Sequence, residues 1–205
     1  MPLHLLDHPL AAHVLTLLRE KSTPPAQFRT LCHQLSLLLA LEATRNLATK
    51  EQPVDTPLER FNGRALARPL VVVPILRAGL GMVQSIVDLF PDVSVGYIGL
   101  ERDHDTAQAR SYYCKLPPLK NVRVLLVDPM LATGGSAVMA LNVLVERGAT
   151  EIDVLNIVAS PEGVAIVEKA HPRVRIFSAG LDRELNARKY ILPGLGDFGD
   201  RLYGT

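Results

Sequence analysis

Between Asp128 and Ser136 the chain places one carboxylate, two hydroxyls and two adjacent glycines within nine residues, inside the run VLLVDPMLATGGSA from Val124 to Ala137. Val124 to Val127 is a short continuous apolar run, as expected of a parallel strand covered on both faces. Asp128 then falls at the carboxyl end of that strand, where ligands bind in open α/β sheets. Thr133, Gly134, Gly135 and Ser136 supply hydroxyls, unobstructed amides and an N-cap before a helical pattern at Val138, Leu141, Leu144 and Val145. Such a turn can cradle an anion with backbone N–H groups at a helix start. It lacks the Gly-Lys-Ser/Thr ending of a nucleoside triphosphate loop, so no lysine meets a β- or γ-phosphate. A phosphomonoester beside an acid that binds hydroxyls fits better. An ordinary strand-to-helix turn can also carry Thr-Gly-Gly-Ser, but the buried strand and acid ahead of it favour the anion site.

Three other stretches carry chemistry. In PILRAGLGM, Pro74 to Met82, Arg77 follows a buried strand and stands next to glycines that let a ligand approach the backbone. Its planar fork of donors suits phosphate oxygens, and equally a structural carboxylate at the sheet edge. Glu101 to Lys115 is polar and carries Arg102, Arg110 and Lys115. It reads either as a mobile cover bringing cations over a site or as a solvated charged loop. The run YILPGLGDFGDRLYGT, Tyr190 to Thr205, has four glycines and a proline, too many for a helix. A loop of this kind presents main-chain donors and acceptors that match the edge of a planar heterocycle, or it simply closes the domain.

Composition narrows the classes. A chain of 205 residues suits one domain with a substantial core. Lys and Arg total 22 against 21 Asp and Glu, so no global basic field draws in nucleic acid and anion binding must be local. Cys32 and Cys114 lack CxxC spacing, and the histidines form no HExxH pattern. No segment reaches the ~20 apolar residues of a membrane span. No basic flank leads into a long apolar stretch at the N-terminus, so a cytoplasmic protein without membrane contact is expected.

The elements that must position these residues follow from periodicity. Ala11 to Arg19 and Phe28 to Leu47 read as helices, the second with a stripe at Phe28, Leu31, Leu35, Leu38, Leu39 and Glu42. Thr23 is placed to cap the second, ahead of Pro24 and Pro25. These two helices are expected to pack on the sheet or, by preference, on another subunit. Strands are expected at Pro69 to Leu76, Val93 to Leu100, Val122 to Val127, Ile152 to Ala159 and Val174 to Ala179. Helices at about 81–89 and at Pro161 to Ala170, the latter capped by Ser160, alternate with them. The alternation predicts a parallel sheet with right-handed crossovers.

Val124 to Ala137 resembles the 5-phosphoribosyl 1-diphosphate (PRPP) signature of type I phosphoribosyltransferases, in the variant of the uracil phosphoribosyltransferase family. Most type I members have two adjacent acids at the start of this loop, whereas here Asp128 is followed by Pro129, as in the uracil branch. The resemblance runs from His8-Pro9 and Leu18-Arg19-Glu20-Lys21 through Glu42-Ala43-Thr44-Arg45 to Gly204-Thr205, with four motifs in the family's order. It implies an α/β protein of type I phosphoribosyltransferase fold, a mainly parallel sheet flanked by helices in a single domain, 1–205. An N-terminal helical arm would occupy about 1–50, and a C-terminal base-binding hood about 180–205. The implied reaction is uracil plus PRPP giving UMP and diphosphate, a pyrimidine salvage step.

The same resemblance assigns residues. PRPP would be held by Asp128, Pro129, Met130, Leu131, Ala132, Thr133, Gly134, Gly135 and Ser136, with Arg77 on the leaving diphosphate beside a non-proline cis peptide. Arg102 and Asp197 would also contact PRPP, and Asp128, Arg77, Arg102 and Asp197 would carry catalysis. Uracil would meet Ile191, Gly196, Asp197 and Phe198. Mg²⁺ would be held by PRPP oxygens and water, with no direct protein ligand. Glu101-Arg102-Asp103 stands where relatives often have Tyr-Arg-Asp, and Phe198 where many have alanine. A homodimer or homotetramer is implied, and GTP is an effector in some members, without a motif here that decides it. Two alternatives stay open: a phosphoribosyltransferase for a purine or orotate, and a nucleotide- and RNA-binding regulator of the same fold. Against the first, Ile191 to Phe198 offers no cation for orotate; against the second stands the balanced charge.

Overall fold

The computed structural model describes residues 3–102 and 109–205. Leu3–Leu5 (β1) precedes two helices, Pro9–Arg19 (α1) and Pro25–Ala43 (α2). Thr49–Asp55 (β2) and Arg60–Leu66 (β3) come next, then Leu70–Leu76 (β4), Leu80–Leu89 (α3), Ser94–Val95 (β5), Tyr97–Arg102 (β6) and Ala109–Lys115 (β7). Arg123–Val127 (β8), Met130–Leu131 (β9), Gly135–Glu146 (α4), Ile152–Ala159 (β10), Pro161–Ala170 (α5) and Arg175–Leu181 (β11) continue the alternation. Glu184–Leu185 (β12), Ile191–Leu192 (β13) and Phe198–Tyr203 (α6) end it.

The apolar runs become the centre of the sheet. β8 and β10 are buried at every position and β4 at all but its last, as strands covered on both faces must be. The main sheet runs β1-β11-β10-β8-β4-β6-β7, with short β5 beside β4 and β9 beside β10. All its pairings are parallel except β6 with β7. From β4 the chain winds outward to β6, and from β8 it winds the opposite way to β10 and β11. The crevice therefore opens at the carboxyl ends of β4 and β8, where the winding reverses.

Helices cover both faces. On one, Phe28, Leu35 and Leu39 of α2 and Met82 and Ile86 of α3 pack with Val72, Leu125 and Leu155 of the sheet. On the other, Leu141 and Leu144 of α4 and Val164 and Val167 of α5 pack with Val73, Leu126 and Val154. Among the described residues no helix is long and apolar enough to cross a membrane.

Several expectations need correction. Of the two placements expected for the leading helices, the structure shows packing on the sheet rather than the preferred one on another subunit: Val14, Leu18, Phe28 and Leu35 lie in the main core. Thr23 does not cap α2, whose N-cap position is Pro24; the Thr23 hydroxyl instead donates to the Leu17 carbonyl. The helix also stops at Ala43, four residues early. β2 and β3, unforeseen, form an antiparallel pair that is exposed at nearly every position and so leaves no hydrophobic period to read. Glu101 to Lys115 is not a loop throughout, because β6 and β7 pair up to Arg102 and Ala109. The centre of the expected cover, 103–108, lies outside the described residues.

At the amino ends of the strands Asp153 joins three elements. It is 1% exposed and accepts from Nε of Arg123 at 2.7 Å and Nε of Arg175 at 2.8 Å. Arg123 also reaches Glu151 at 2.7 Å and the Ala43 carbonyl at the end of α2.

Candidate active site

The carboxyl ends of β4 and β8 carry Arg77 and Asp128. The two strands run side by side with Pro74 opposite Val127, so Arg77 and Asp128 follow neighbouring strand ends. The Leu76–Arg77 peptide is cis. After Asp128 the chain does not loop freely. Met130 and Leu131 pair with Val158 and Ala159 as β9, and the Pro129 carbonyl accepts from the amides of Ile157 and Val158. Gly134, at φ +80°, turns the backbone into α4, a conformation that L side chains disfavour. Gly134 rather than Ser136 is the N-cap, which places Gly135 and Ser136 in the first helical turn, where amides lack intrahelical partners.

A small cavity of about 40 Å³ lies over this turn, lined by Asp128, Met130, Ala132, Thr133, Gly134 and Ser136 among others. Beside it is a cavity of about 480 Å³ that shares Asp128, Met130, Ala132 and Ser136 and adds Ile191, Gly196, Asp197 and Phe198. The strand-and-turn segment and the C-terminal run, some sixty residues apart in sequence, thus face one space. Thr133 and Ser136 are partly exposed. Surrounding protein pushes the Asp128 carboxyl up to about 7, with the Met130 backbone N–H pulling the other way.

The remaining residues are placed less directly. Arg77 is exposed beside the larger cavity, whose wall includes its neighbour Ala78, and its carbonyl accepts from the Tyr203 hydroxyl at 3.2 Å. Arg102 ends β6, and its side chain lies outside the described residues. Pro129 and Leu131 are buried, and Gly135 is exposed at the start of α4. Asp197 caps α6, accepting from the Asp200 amide at 3.0 Å, so the expected loop holds one short helix. Phe198 is 3% exposed and sets its ring edge-on to Phe28, 5.0 Å between centroids. Its side chain serves the core as well as the cavity wall.

Arg188, Lys189 and Asn156 escaped the sequence reading. Arg188, Lys189 and Tyr190 line the larger cavity, so cations do stand next to Ile191. The basic pair before Tyr190 was the available signal. Asn156, fully buried on β10, donates from Nδ2 to the Asp128 carbonyl at 2.5 Å. It pins the corner on which the carboxylate stands, and only strand pairing brings it there.

The fold defines the class. Over 77% of the chain and 80% of its counterpart, the structure superposes on a hypoxanthine-guanine phosphoribosyltransferase from Bacillus anthracis with a TM-score of 0.53 at 10% identity, a likeness of fold. The fold is that of the type I phosphoribosyltransferases. The structure of the AQ2163 protein from Aquifex aeolicus is far more similar, with a TM-score of 0.95 and 35% identity over 99% of this chain and 98% of that one.

Within that class the sequence is specific. The model of the family described as uracil phosphoribosyltransferase matches residues 5–205. Proteins named uracil phosphoribosyltransferase from Roseiflexus castenholzii and Symbiobacterium thermophilum are 54% and 52% identical, covering 97% and 98% of this chain and 96% and 97% of theirs. The chain belongs to the uracil phosphoribosyltransferase family.

Proposed function

We propose that the protein transfers the 5-phosphoribosyl group from PRPP to uracil, giving UMP and diphosphate, as a pyrimidine salvage enzyme. One observation carries this reading beyond family membership: the anion cradle and the C-terminal hood line the same cavity. In the reaction a bond forms between uracil N1 and ribose C1, the bond from C1 to the diphosphate oxygen breaks, the electron pair goes to the diphosphate, and the N1 proton is released to water. Positive charge builds on the ribose as diphosphate departs, so alignment and electrostatics dominate and no nucleophilic side chain is required.

Each residue then has a task. Thr133 to Ser136 hold the 5′-phosphate with hydroxyls and first-turn amides, and Asp128, once ionised, accepts from the ribose hydroxyls. Arg77 offsets charge on the leaving diphosphate, with Arg102 contributing from the end of β6. Gly196, Asp197 and Phe198 present backbone groups to the uracil edge, with Ile191 against the ring. Two carboxylates, Asp128 and Asp197, line the cavity, and no cluster of three or more potential ligands occurs among the described residues. This donor set fits a Mg²⁺ ion held chiefly by PRPP oxygens and water, with Asp128 and Asp197 bonding to its hydration shell. When bound, the ion neutralises charge on the diphosphate.

The test is incubation with PRPP, Mg²⁺ and a panel of free bases. Uracil is expected to become a nucleoside monophosphate. Orotate belongs in the panel because Arg188 and Lys189 could meet its carboxylate; preferential conversion of orotate or a purine would overturn the reading. Arg77→Ala is expected to lower kcat/KM for PRPP about tenfold or more through lost transition-state charge stabilisation. Steady-state kinetics with PRPP as the varied substrate checks it, and an unchanged value would remove Arg77 from the diphosphate site.

A further inference from the structure

We propose that Arg19 and Asp182 are positioning residues for base recognition, their ion pair fixing the peptide groups of Gly194 and thereby the geometry of the hood over uracil. This rests on the function proposed above.

Asp182 follows β11 and is 5% exposed. Its Oδ1 accepts from Nη2 of Arg19 at 2.5 Å and its Oδ2 from Nη1 at 2.9 Å, a two-pronged pair. The same Oδ2 accepts the Gly194 amide at 2.8 Å, and Nη1 of Arg19 donates to the Gly194 carbonyl at 2.9 Å. Both main-chain groups of one residue are thus tied to one ion pair. Gly194 sits at φ +63°, and a side chain there would run into the Ile191 carbonyl. From the other side Arg201 of α6 donates to the Leu195 carbonyl at 2.9 Å, and to those of Leu18 at 2.7 Å and Glu20 at 2.6 Å. The end of α1 therefore grips the turn twice, through an arginine it sends and an arginine it receives.

The gripped segment lies between cavity-wall residues. Ile191 is three residues before Gly194, and Gly196, Asp197 and Phe198 follow closely after it. A base read through main-chain groups needs those groups preset, because ordering a turn with positive-φ glycines on binding would come directly out of affinity. A buried ion pair adds little net stability over an apolar replacement, so stability alone gives weak reason for this one. The segment Leu18 to Lys21, part of the family resemblance but without a chemical role of its own, acquires one as the base of the hood.

The experiment compares KM for uracil and for PRPP in the unaltered protein, Asp182→Asn, Arg19→Lys and the double variant Arg19→Gln with Asp182→Asn, with thermal melting in parallel. The double variant leaves no unpaired buried charge and keeps the test open if a single change unfolds the chain. Loss of preorganisation is expected to raise KM for uracil about tenfold or more and KM for PRPP less than about threefold. Arg19→Lys, which keeps the charge without the fork, should fall between. Discrimination between uracil and cytosine should narrow in the same order. Equal rises in both KM values, or an unchanged KM for uracil in a folded variant, would overturn the proposal. Failure of the unaltered protein to form UMP would instead strike the proposed function.

Discussion

Asp128→Asn is expected to lower UMP formation about 10²–10³-fold at pH 8, the scale of losing one preorganised charge at a reacting centre, while making the unliganded protein melt at a higher temperature. The two effects have one cause. Asp128 follows a fully buried strand and is itself half-buried in the cavity wall, and desolvation by the surrounding protein raises its pKa to about 7, against an ordinary carboxylate value of about 3.9 in an unfolded chain. Below about pH 4 both states hold the proton and the group favours neither. Between about pH 4 and pH 7 the folded state keeps a proton that the unfolded state releases, so stability falls as pH rises, and the loss is complete above the folded pKa. Asparagine does not titrate and escapes this loss. The melting-temperature difference between variant and unaltered protein should therefore be smallest near pH 4 and grow towards pH 8. A constant difference would show that Asp128 is not held in its neutral form. If Asp128 meets PRPP as proposed, PRPP with Mg²⁺ should narrow the gap in the unaltered protein, because hydrogen-bond donors from the ligand would stabilise the carboxylate.

Asp153→Ala is expected to produce the largest loss of stability, about 3–5 kcal/mol, the usual cost of stripping one partner from a buried ion pair. Arg123 is 4% exposed and would keep only Glu151 as a charged partner, while Arg175 would lose both of its contacts to Asp153. The network lies at the amino ends of the strands and the candidate active site at the carboxyl ends. Urea unfolding should show a lower midpoint with an unchanged slope, and the kcat per folded molecule should stay near that of the unaltered protein. A large fall in kcat at full folding would mean that the two ends of the sheet are coupled. Replacing Asp153 and Arg123 together by apolar residues of similar volume should cost less than Asp153→Ala, since no charge is then left buried alone.

The parts of the fold legible in the sequence are those with a period. Ile152–Ala159 and Pro161–Ala170 were read with the bounds the structure gives, because a run of apolar residues and a Ser160–Pro161 start each encode their own element. The Ser160 hydroxyl indeed accepts from the Gly163 amide. β2 and β3 were missed because neither of their faces is buried, and β9, β12 and β13 because two residues hold no period. α6 was hidden by Gly199 and by Gly204, which ends it; its helix is held by Asp197 at one end and by core contacts of Phe198 and Leu202.

Local sequence was thus enough to place Asp128 and Arg77 just after buried strands and Thr133–Ser136 at a helix start, since strand burial and turn chemistry are encoded by neighbours along the chain. It also fixed the family, through motifs that span nearly its whole length. Only the tertiary structure decided that the cradle and the C-terminal run share one cavity, that Asn156 braces Asp128, and that Arg19 meets Asp182 at a separation of 163 residues. The physical reason is that a hydrogen bond between distant segments depends on where the packed helices and sheet place them, and neither partner's own neighbours carry that information.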